Sequence, residues 1–461
     1  MRLFHYLSRF RPQDGGVPRA VLDLCAALAA HGHDVTLATG GAEMVPQPWR
    51  TTASSQATPG TARGSTVGAR PGADVSAEVR AEALPRLLEL GPWRWLRRLD
   101  ASERRVVDEA LRRCDVAHLH VPWDPLGIAI ASRARALGTP YIVTPHGMLD
   151  DWTMAIHPIR KRLFLAAGAR RFLELAALVQ CNSATEAEES KRWLPRGRTI
   201  VAPLLTDLSP FAAPRPESRE GGTPRLPPGH RVGRAASAEC AGSSGADEPS
   251  APAAPSATPS RGQPCRGAPA RVLFLGRLDP IKGIEDLIDA IGQVNRAGVE
   301  TALVIAGTGD DRYRRELDRV VAQCAVRDHV EFAGYVTGDA KQRLLLEADC
   351  SVLPSRHENW GVSLIESLAA ATPVITTDAV NIWRELAESG GATIVPVRGT
   401  PAGASDGPAR ALAGALRALL SDRAELRERG ERGRAWVFRE LAPERVVRRY
   451  EEIYAEFSGV R

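Results

Sequence analysis

The chain has 461 residues, of which 44% are apolar and 25% are charged, and its formal net charge is only +5. This length exceeds what one hydrophobic core usually serves, so two domains are expected. The small positive charge argues against a nucleic-acid-binding protein, which would need a clustered basic face.

The seven cysteines are scattered, form no CxxC pair and have no zinc-ligand spacing. This pattern indicates a reducing compartment and no structural metal. The N-terminal apolar run is too short for a signal peptide, and no stretch of about 18 uncharged apolar residues could span a bilayer. We therefore expect a soluble, cytoplasmic protein, at most resting on the inner face of the membrane.

Strand-like and helix-like runs alternate in the first half of the chain. Strands are predicted at 3–7, 35–39, 116–120, 141–144, 178–181 and 199–201. Helices are predicted at 19–30, 128–137, 160–175 and 185–193. Such alternation is typical of a parallel sheet covered by helices.

Two stretches have the composition of irregular chain. Residues 46–75 are rich in Thr, Ala, Gly, Ser and Pro without periodicity, which predicts a mobile excursion. Residues 214–269 are dense in Pro, Gly, Ser and Ala, and they have too few apolar residues to offset the entropy of ordering. We therefore predict a disordered insertion between two domains.

The alternating pattern restarts after this insertion. Strands are predicted at 271–275, 302–306, 329–332, 350–353, 373–376 and 393–395. Helices are predicted at 284–296, 312–324, 340–348, 361–371 and 409–420, followed by a charged helical tail at 443–457. The predicted fold class is α/β, with two Rossmann-like doubly wound domains facing a cleft. Ligands should bind at the carboxyl ends of the strands.

The predicted domain organisation follows from these patterns. An N-terminal, acceptor-side domain spans 1–205, the insertion spans 206–269, and a C-terminal nucleotide-sugar-binding domain spans 270–440. The terminal helix within 441–461 is predicted to cross back to the first domain.

Two cations follow the strand at 271–275. Arg277 and Lys282 lie in the run GRLDPIKG, between two glycines and just before a helix. A guanidinium can bind two phosphate oxygens, an ammonium adds charge, and a helix N-terminus offers free N–H groups. This motif alone fits a diphosphate site and solvated loop cations about equally.

Two acids stand eight positions apart in the run HENWGVSLIE. Glu358 ends a strand and loop, and Glu366 lies in the next helix. A carboxylate can accept two hydrogen bonds from a vicinal diol, so Glu366 suits a ribose, while Glu358 would meet a transferred sugar. Gly361 and Val362, next to Asn359, could present backbone N–H groups to a phosphate or a sugar hydroxyl. An isolated pair of acids would usually be accidental, but its combination with the two cations makes coincidence unlikely.

These motifs, together with AGTGDD at 306–311, resemble those of glycosyltransferase family 4, the glycosyl transferases group 1, over most of 271–460. The resemblance implies a GT-B fold and retention of anomeric configuration. It implies that Glu358 contacts the donor sugar, Glu366 the ribose, and Arg277 and Lys282 the diphosphate leaving group.

The first half resembles the same family. Gly15 and Gly16 match its glycine-rich loop after the first strand, where the backbone approaches the donor phosphate; a plain tight turn is the alternative. His146, in TPHGMLDDW, matches a histidine that reaches the transferred sugar. For His118 and His120, which alternate with Leu119 on a strand, a structural role is favoured.

The resemblance implies a metal-independent enzyme that needs no cofactor, with a nucleotide-sugar as donor and a glycan, lipid-linked or small-molecule acceptor. No Asp-x-Asp pair occurs that could hold a metal against a diphosphate. Alternatives are a GT-B-type UDP-sugar epimerase and a non-catalytic nucleotide-sugar-binding protein. The base, the sugar and the oligomeric state have no readable signal.

Basic and apolar residues mix at 93–98, 160–164 and 170–172. Such segments can dock on anionic lipid, which would suit a polyprenol-linked acceptor and a peripheral membrane contact. The alternative, slightly favoured, is an ordinary amphipathic helix whose charged face is solvated.

Overall fold

The computed structural model describes residues 1–11, 16–51, 84–92, 98–213, 268–397 and 407–459. Its core consists of two parallel sheets, one of seven strands and one of six, each flanked by helices. This architecture confirms the predicted α/β fold of two Rossmann-like units. Most of the excursion at 46–75, the insertion at 214–267 and residues 93–97 lie outside the described residues.

The first sheet is built from the N-terminal half. Its strands are β1 (Arg2–Tyr6), β2 (Asp34–Thr39), β3 (Arg86–Glu89), β4 (Val116–His120), β5 (Tyr141–Thr144), β6 (Leu178–Cys181) and β7 (Thr199–Val201). Their order is β3-β2-β1-β4-β5-β6-β7, and every neighbouring pair is parallel. The strand order therefore reverses at β1, where Phe4 pairs with Thr36 on one side and with Ala117 on the other.

Eight helices of the described chain accompany this sheet. They are α1 (Gly16–Ala30), α2 (Gln47–Thr51), α3 (Ala101–Arg113), α4 (Pro125–Ala136), α5 (Asp151–Ala155), α6 (Pro158–Phe164), α7 (Arg170–Glu174) and α8 (Ala184–Ser190). Several begin at a side-chain cap; Asp100, for example, accepts from the backbone N–H of Glu103 at the start of α3, and Ser183 accepts from that of Glu186 at the start of α8.

The second sheet is built from the C-terminal half. Its strands are β8 (Ala270–Leu275), β9 (Thr301–Ala306), β10 (Val330–Gly334), β11 (Cys350–Leu353), β12 (Val374–Thr377) and β13 (Ala392–Val395). Their order is β10-β9-β8-β11-β12-β13, again parallel throughout. The order reverses at β8, so the carboxyl end of β8 opens onto the crevice where such sheets bind ligands.

Eight further helices follow in the described chain. They are α9 (Ile284–Arg296), α10 (Asp311–Gln323), α11 (Gly338–Glu347), α12 (Val362–Ala369), α13 (Trp383–Glu388), α14 (Pro408–Leu420), α15 (Arg423–Glu440) and α16 (Pro443–Ser458).

The last helix, α16, packs against the N-terminal half. Its buried residues Val446, Val447, Tyr450, Ile453 and Tyr454 belong to the hydrophobic cluster that includes residues of α1, β1 and β2. The chain thus ends on the half in which it began.

The structure corrects some of the predicted elements. The helix predicted at 160–175 is interrupted: a π-helical turn at Leu165–Ala169 separates α6 from α7, and Gly168 has a φ of 132°. The periodicity continues across this break because both helices pack on the same core. The analysis missed β3, α3, α13 and α15; the Asp100–Glu103 capping box was the signal that could have revealed α3.

Among the described residues, no helix is long and apolar enough to cross a membrane. The five described cysteines are Cys25, Cys114, Cys181, Cys324 and Cys350, and none of them forms a disulfide.

Candidate active site between the two sheets

The loop after β8 packs closely on the loop after β9. The backbone N–H of Leu278 donates to the carbonyl of Thr308 at 2.9 Å. A Cβ on Gly307 would lie 1.8 Å from the carbonyl oxygen of Gly276, and one on Gly309 would lie 2.0 Å from that of Leu278. The glycines of AGTGDD are therefore required because two backbones meet there.

Lys282 ends a 3₁₀ turn at Pro280–Lys282 that leads into α9. Gly283 begins the helix with a φ of 64°, and a Cβ there would lie 2.4 Å from the carbonyl oxygen of Pro354. This close approach brings the turn against the loop after β11. As a result, the ammonium of Lys282 contacts the carboxylate of Glu358 directly, and both side chains are largely buried.

Glu366 lies one turn inside α12, which begins at Gly361 with a φ of 69°. The left-handed Gly361 turns the chain so that Val362 opens the helix, with its free N–H groups near the E-x7-E loop. Glu366 Oε1 is 2.6 Å from Nζ of Lys341, a residue of α11 that the sequence analysis did not select. A lysine on an amphipathic helix carries no signal of such a role.

Three polar atoms in this loop are buried and have no hydrogen-bond partner within the described chain: Ser355 Oγ, Asn359 Oδ1 and Trp360 Nε1. Buried polar groups are normally hydrogen-bonded, so unpartnered ones mark a place where a ligand or water binds. All three lie within six residues that contain Glu358.

Arg277 is placed differently from Lys282. Its guanidinium is 60% exposed and lies 3.6 Å from Asp279 Oδ2. Within the described ranges, no hydrogen bond or ion pair joins it to Glu358 or Glu366. The structure thus brings Lys282 and Glu358 together, pairs Glu366 with Lys341, and leaves Arg277 at the solvent edge of the same loop.

His146 lies in the loop after β5, on the opposite side of the crevice, and has a φ of 53°. Its Nδ1 is 3.4 Å from Asn182 Nδ2, and its Nε2 is 3.1 Å from His120 Nδ1. Both ring nitrogens are therefore engaged by protein groups. Of the predicted glycines, Gly16 begins α1, while Gly15 lies outside the described residues.

A chain of histidines continues inward from His146. Because Asn182 Nδ2 can only donate, His146 Nδ1 accepts, and its Nε2–H donates to His120. His120 Nε2 then donates to His5 Nδ1 at 3.2 Å, which leaves the proton of His5 on Nε2. Burial lowers the pKa of His5 and of His146 to about 3, so this chain is neutral at physiological pH.

The buried histidines could be read as a metal site, since ligand atoms of His5, His118 and His120 lie within 4.8 Å of one another. However, His118 Nδ1 is 2.8 Å from the Tyr454 hydroxyl, and its Nε2 is 2.6 Å from Thr144 Oγ1. The cluster also contains no carboxylate to neutralise a buried dication. Its hydrogen bonding therefore fits a polar core better than a metal centre.

Glu186 supports the His146 loop from below, and the sequence analysis did not select it. Its carboxylate accepts from the backbone N–H of Gly147 at 2.5 Å and from that of Asn182 at 2.6 Å. Gly147 in turn touches the other half: a Cβ there would lie 2.7 Å from Cβ of Asn359. The two loops that carry His146 and Glu358 are thus in contact.

The fold and this site define a two-lobed nucleotide-binding protein of the GT-B type. Residues 261–436 match the family model of glycosyl transferases group 1, and residues 15–204 match that of the glycosyl transferase 4-like domain. Since the two models together match most of the chain, it belongs to the family 4 type of GT-B glycosyltransferases.

Individual relatives match over shorter stretches. An uncharacterized glycosyltransferase of Methanocaldococcus jannaschii is 42% identical over 106 residues, which are 23% of this chain and 26% of the relative. The phosphatidyl-myo-inositol mannosyltransferase of Mycobacterium leprae is 32% identical over 196 residues, 41% of this chain and 48% of the relative. The chain thus spans about half or less of the length of these relatives.

Solved structures are similar over the whole chain. The sucrose-phosphate synthase of Thermosynechococcus elongatus has a TM-score of 0.63 at 19% identity, covering 100% of both chains. HepE of Anabaena, crystallised with UDP-glucose, has a TM-score of 0.62 at 14% identity, covering 99% of this chain and 100% of that one. At such identities the likeness establishes the fold.

Proposed function

We propose that this protein transfers a hexose-type sugar from a nucleotide diphosphate-sugar to a hydroxyl of a glycan, lipid-linked or small-molecule acceptor, with retention of configuration. The observation that carries the proposal is the contact between Lys282 and Glu358, which lie 76 positions apart in two separate motifs. A buried ammonium beside a carboxylate suits the reacting end of an activated sugar, where a diphosphate departs from an anomeric carbon.

The donor would lie along the carboxyl ends of β8 and β11. Lys282 and Arg277 would bind the diphosphate, Glu366 the ribose hydroxyls, and Glu358 the transferred sugar. The unpartnered Asn359 Oδ1 offers an acceptor for a sugar hydroxyl. The N–H groups of Gly361 and Val362 add the positive end of α12.

We propose that the positive charge of Arg277 and Lys282 stabilises the leaving group without a metal. In a retaining transfer the departing phosphate takes the proton of the acceptor hydroxyl, so no protein base is needed. The surroundings of His146 support this choice, because both its ring nitrogens are engaged and burial lowers its pKa to about 3. In this scheme, His146 shapes the sugar pocket.

Relatives and structural neighbours support a nucleotide-sugar donor. HepE was crystallised with UDP and with UDP-glucose. A relative from Mycobacterium tuberculosis, 31% identical over 173 residues, 37% of this chain and 41% of the relative, is named a GDP-mannose-dependent mannosyltransferase. These names concern those proteins, and for this chain they define the donors to test first.

A thermal-shift screen with UDP, GDP, ADP and their sugar conjugates tests the donor site. A ligand at about 100 times its dissociation constant should add roughly 2.7 kcal/mol of stability. Glu366→Ala should weaken donor binding about tenfold or more, through loss of a charge-assisted hydrogen bond. Lys282→Ala should lower turnover more than affinity. Glu316→Ala, an exposed acid on α10, is the matched control and should change neither.

Two results would contradict the proposal. If Glu366→Ala and Lys282→Ala both kept full activity with a recognised donor, the assigned roles would be wrong. If the protein interconverted the sugar of the donor without an acceptor, it would be an epimerase; stabilisation by a nucleotide-sugar with no turnover would indicate a binding protein.

We also propose that α6 rests on an anionic membrane surface, which would place a lipid-linked acceptor near the crevice. Lys161 faces inward, where Nζ donates to the carbonyl of Thr153 and lies 5.7 Å from the ring of Trp123. Ile159 and Leu163, two positions to either side of it, therefore face outward and are 75% and 65% exposed. No residue of α6 is buried, which favours docking over an ordinary core-facing amphipathic helix.

Co-sedimentation with vesicles tests this contact. Vesicles containing phosphatidylglycerol should retain the protein, and the double variant Ile159→Ser with Leu163→Ser should release it. Val106→Ser, an exposed apolar residue on α3, is the control. Equal recovery with pure phosphatidylcholine vesicles would overturn the proposal. The cytoplasmic location inferred from the cysteines stays a prediction.

A further inference from the structure

Asp150 belongs to the N-terminal half but bonds to residues of the C-terminal half. Its side chain is only 1% exposed. One carboxylate oxygen, Oδ1, accepts from the backbone N–H of Thr153 at 2.8 Å and caps α5. The other oxygen, Oδ2, accepts from Asn381 Nδ2 at 3.2 Å and lies 3.3 Å from His357 Nε2. Both of these partners come from the second sheet's half of the molecule.

The two partners of Asp150 hold Glu358 from both sides. His357 directly precedes Glu358 in the chain. The backbone N–H of Asn381 donates to the carbonyl of Glu358 at 2.8 Å, and the N–H of Glu358 donates to Ala379 at 3.3 Å. One buried carboxylate is therefore bonded both to the residue before Glu358 and to the residue that binds its carbonyl.

His357 makes a second contact with the N-terminal half. Its ring stacks on that of Trp152, with centroids 5.8 Å apart and planes at 8°. Burial lowers the pKa of His357 and raises that of Asp150, so the buried surroundings favour a neutral imidazole that donates Nε2–H to Asp150. Because the interaction is short and dry, its geometry is well defined.

We propose that Asp150 is a positioning residue for Glu358, which takes its working orientation only when the two halves meet at Asp150, His357 and Asn381. The inference rests on the proposed function for its catalytic meaning, since that function assigns Glu358 to the transferred sugar. The diphosphate and ribose contacts proposed above all lie in the C-terminal half. Loss of Asp150 should therefore affect turnover and leave donor binding intact.

Asp150→Asn is the sharpest test. Asparagine also caps helices, so α5 can be spared, but its amide N–H groups then face the donors of Asn381 and His357. Turnover should fall about tenfold to a hundredfold, as for a misplaced catalytic group, while donor affinity changes by less than about twofold. Asp151→Asn is the matched control, because this neighbouring acid makes an exposed ion pair with Arg192 at 2.5 Å.

Two substitutions of His357 separate stacking from hydrogen bonding. His357→Phe keeps a ring on Trp152 but has no N–H donor, so its turnover should fall as far as that of Asp150→Asn. His357→Gln keeps a donor and should retain most of the turnover. Since both changes break one contact, the double variant with Asp150→Asn and His357→Phe should be no slower than either single variant. Additive losses would overturn the proposal.

Hydrogen–deuterium exchange tests the clamp without any substrate. In Asp150→Asn, amides of 356–361 should exchange at least about tenfold faster than in the unsubstituted protein, because the closed form is less populated. Unchanged exchange together with unchanged turnover would overturn the proposal. So would a lowered melting temperature with unchanged exchange there, since Asp150 would then be a structural residue only. If no nucleotide-sugar were turned over at all, the proposed function would fail, and the exchange result would still decide the clamp.

Discussion

Glu186 shows how a single buried side chain can hold a functional loop. Its two oxygens accept from Gly147 and Asn182, on either side of the loop that carries His146. Burial raises the pKa of Glu186 to about 7, although these N–H groups favour its ionised form. The loop is thus tied to a group that titrates near neutral pH.

This titration predicts a pH-dependent stability. Because the native pKa is above the usual 4.5, the stabilising contribution of Glu186 is full below about pH 4.5 and is lost as the pH rises to about 7. Glu186→Gln cannot titrate. The difference in melting temperature between the unsubstituted protein and this variant should therefore shrink between pH 4.5 and 7 and stay level above it. A constant difference would contradict the assigned pKa shift.

At the scale of elements, α15 fits against α12 through glycines. A Cβ on Gly430 would lie 2.2 Å from the carbonyl oxygen of Ala371, and one on Gly433 would lie 2.6 Å from Leu368 Cδ2. Close packing here supports the helix that carries Glu366. By contrast, Gly414 of α14 has no neighbour within 4 Å of its position for a Cβ.

The two glycine environments predict opposite effects of the same substitution. Gly430→Ala should destabilise the protein by about 1–3 kcal/mol because the backbones must move apart. Gly414→Ala should stabilise it by about 0.5–1 kcal/mol, since alanine has the higher helix propensity. Thermal melting of both variants measures the effects, and a stabilised Gly430→Ala would show that α15 packs less closely than described.

At the scale of the whole molecule, α16 returns the chain to the N-terminal half. The hydroxyl of Tyr454 donates to His118 Nδ1, because His118 Nε2–H is directed to Thr144, whose own proton goes to Gln180 at 2.5 Å. The end of the chain is therefore part of the polar core behind the His146 loop.

Tyr454→Phe tests this connection. Removal of the hydroxyl leaves a buried acceptor on His118 unsatisfied, which should cost about 1–3 kcal/mol. Tyr335→Phe is the control, because Tyr335 is 77% exposed. Guanidinium unfolding monitored by fluorescence should show a lower midpoint for the first variant only. Equal midpoints would mean that the helix is held by its apolar contacts alone.

The sequence predicted the elements of both sheets, apart from β3, because buried parallel strands are continuous apolar runs, and β4 and β11 are buried at every residue. It also predicted the neighbourhood of Lys282 and Glu358, since each motif follows a strand that ends at the same edge of one sheet. It did not predict α15, whose exposed charges and glycines conceal its packing face.

The sequence by itself determined the two-lobed α/β fold, the family and the candidate donor residues, because periodicity and short motifs record local chemistry. Only the tertiary structure decided that Lys341 pairs with Glu366, that both nitrogens of His146 are engaged, and that Asp150 reaches the residues around Glu358. These contacts join residues far apart in the chain. Their partners are set by how the two halves pack, and no spacing in the sequence encodes that packing.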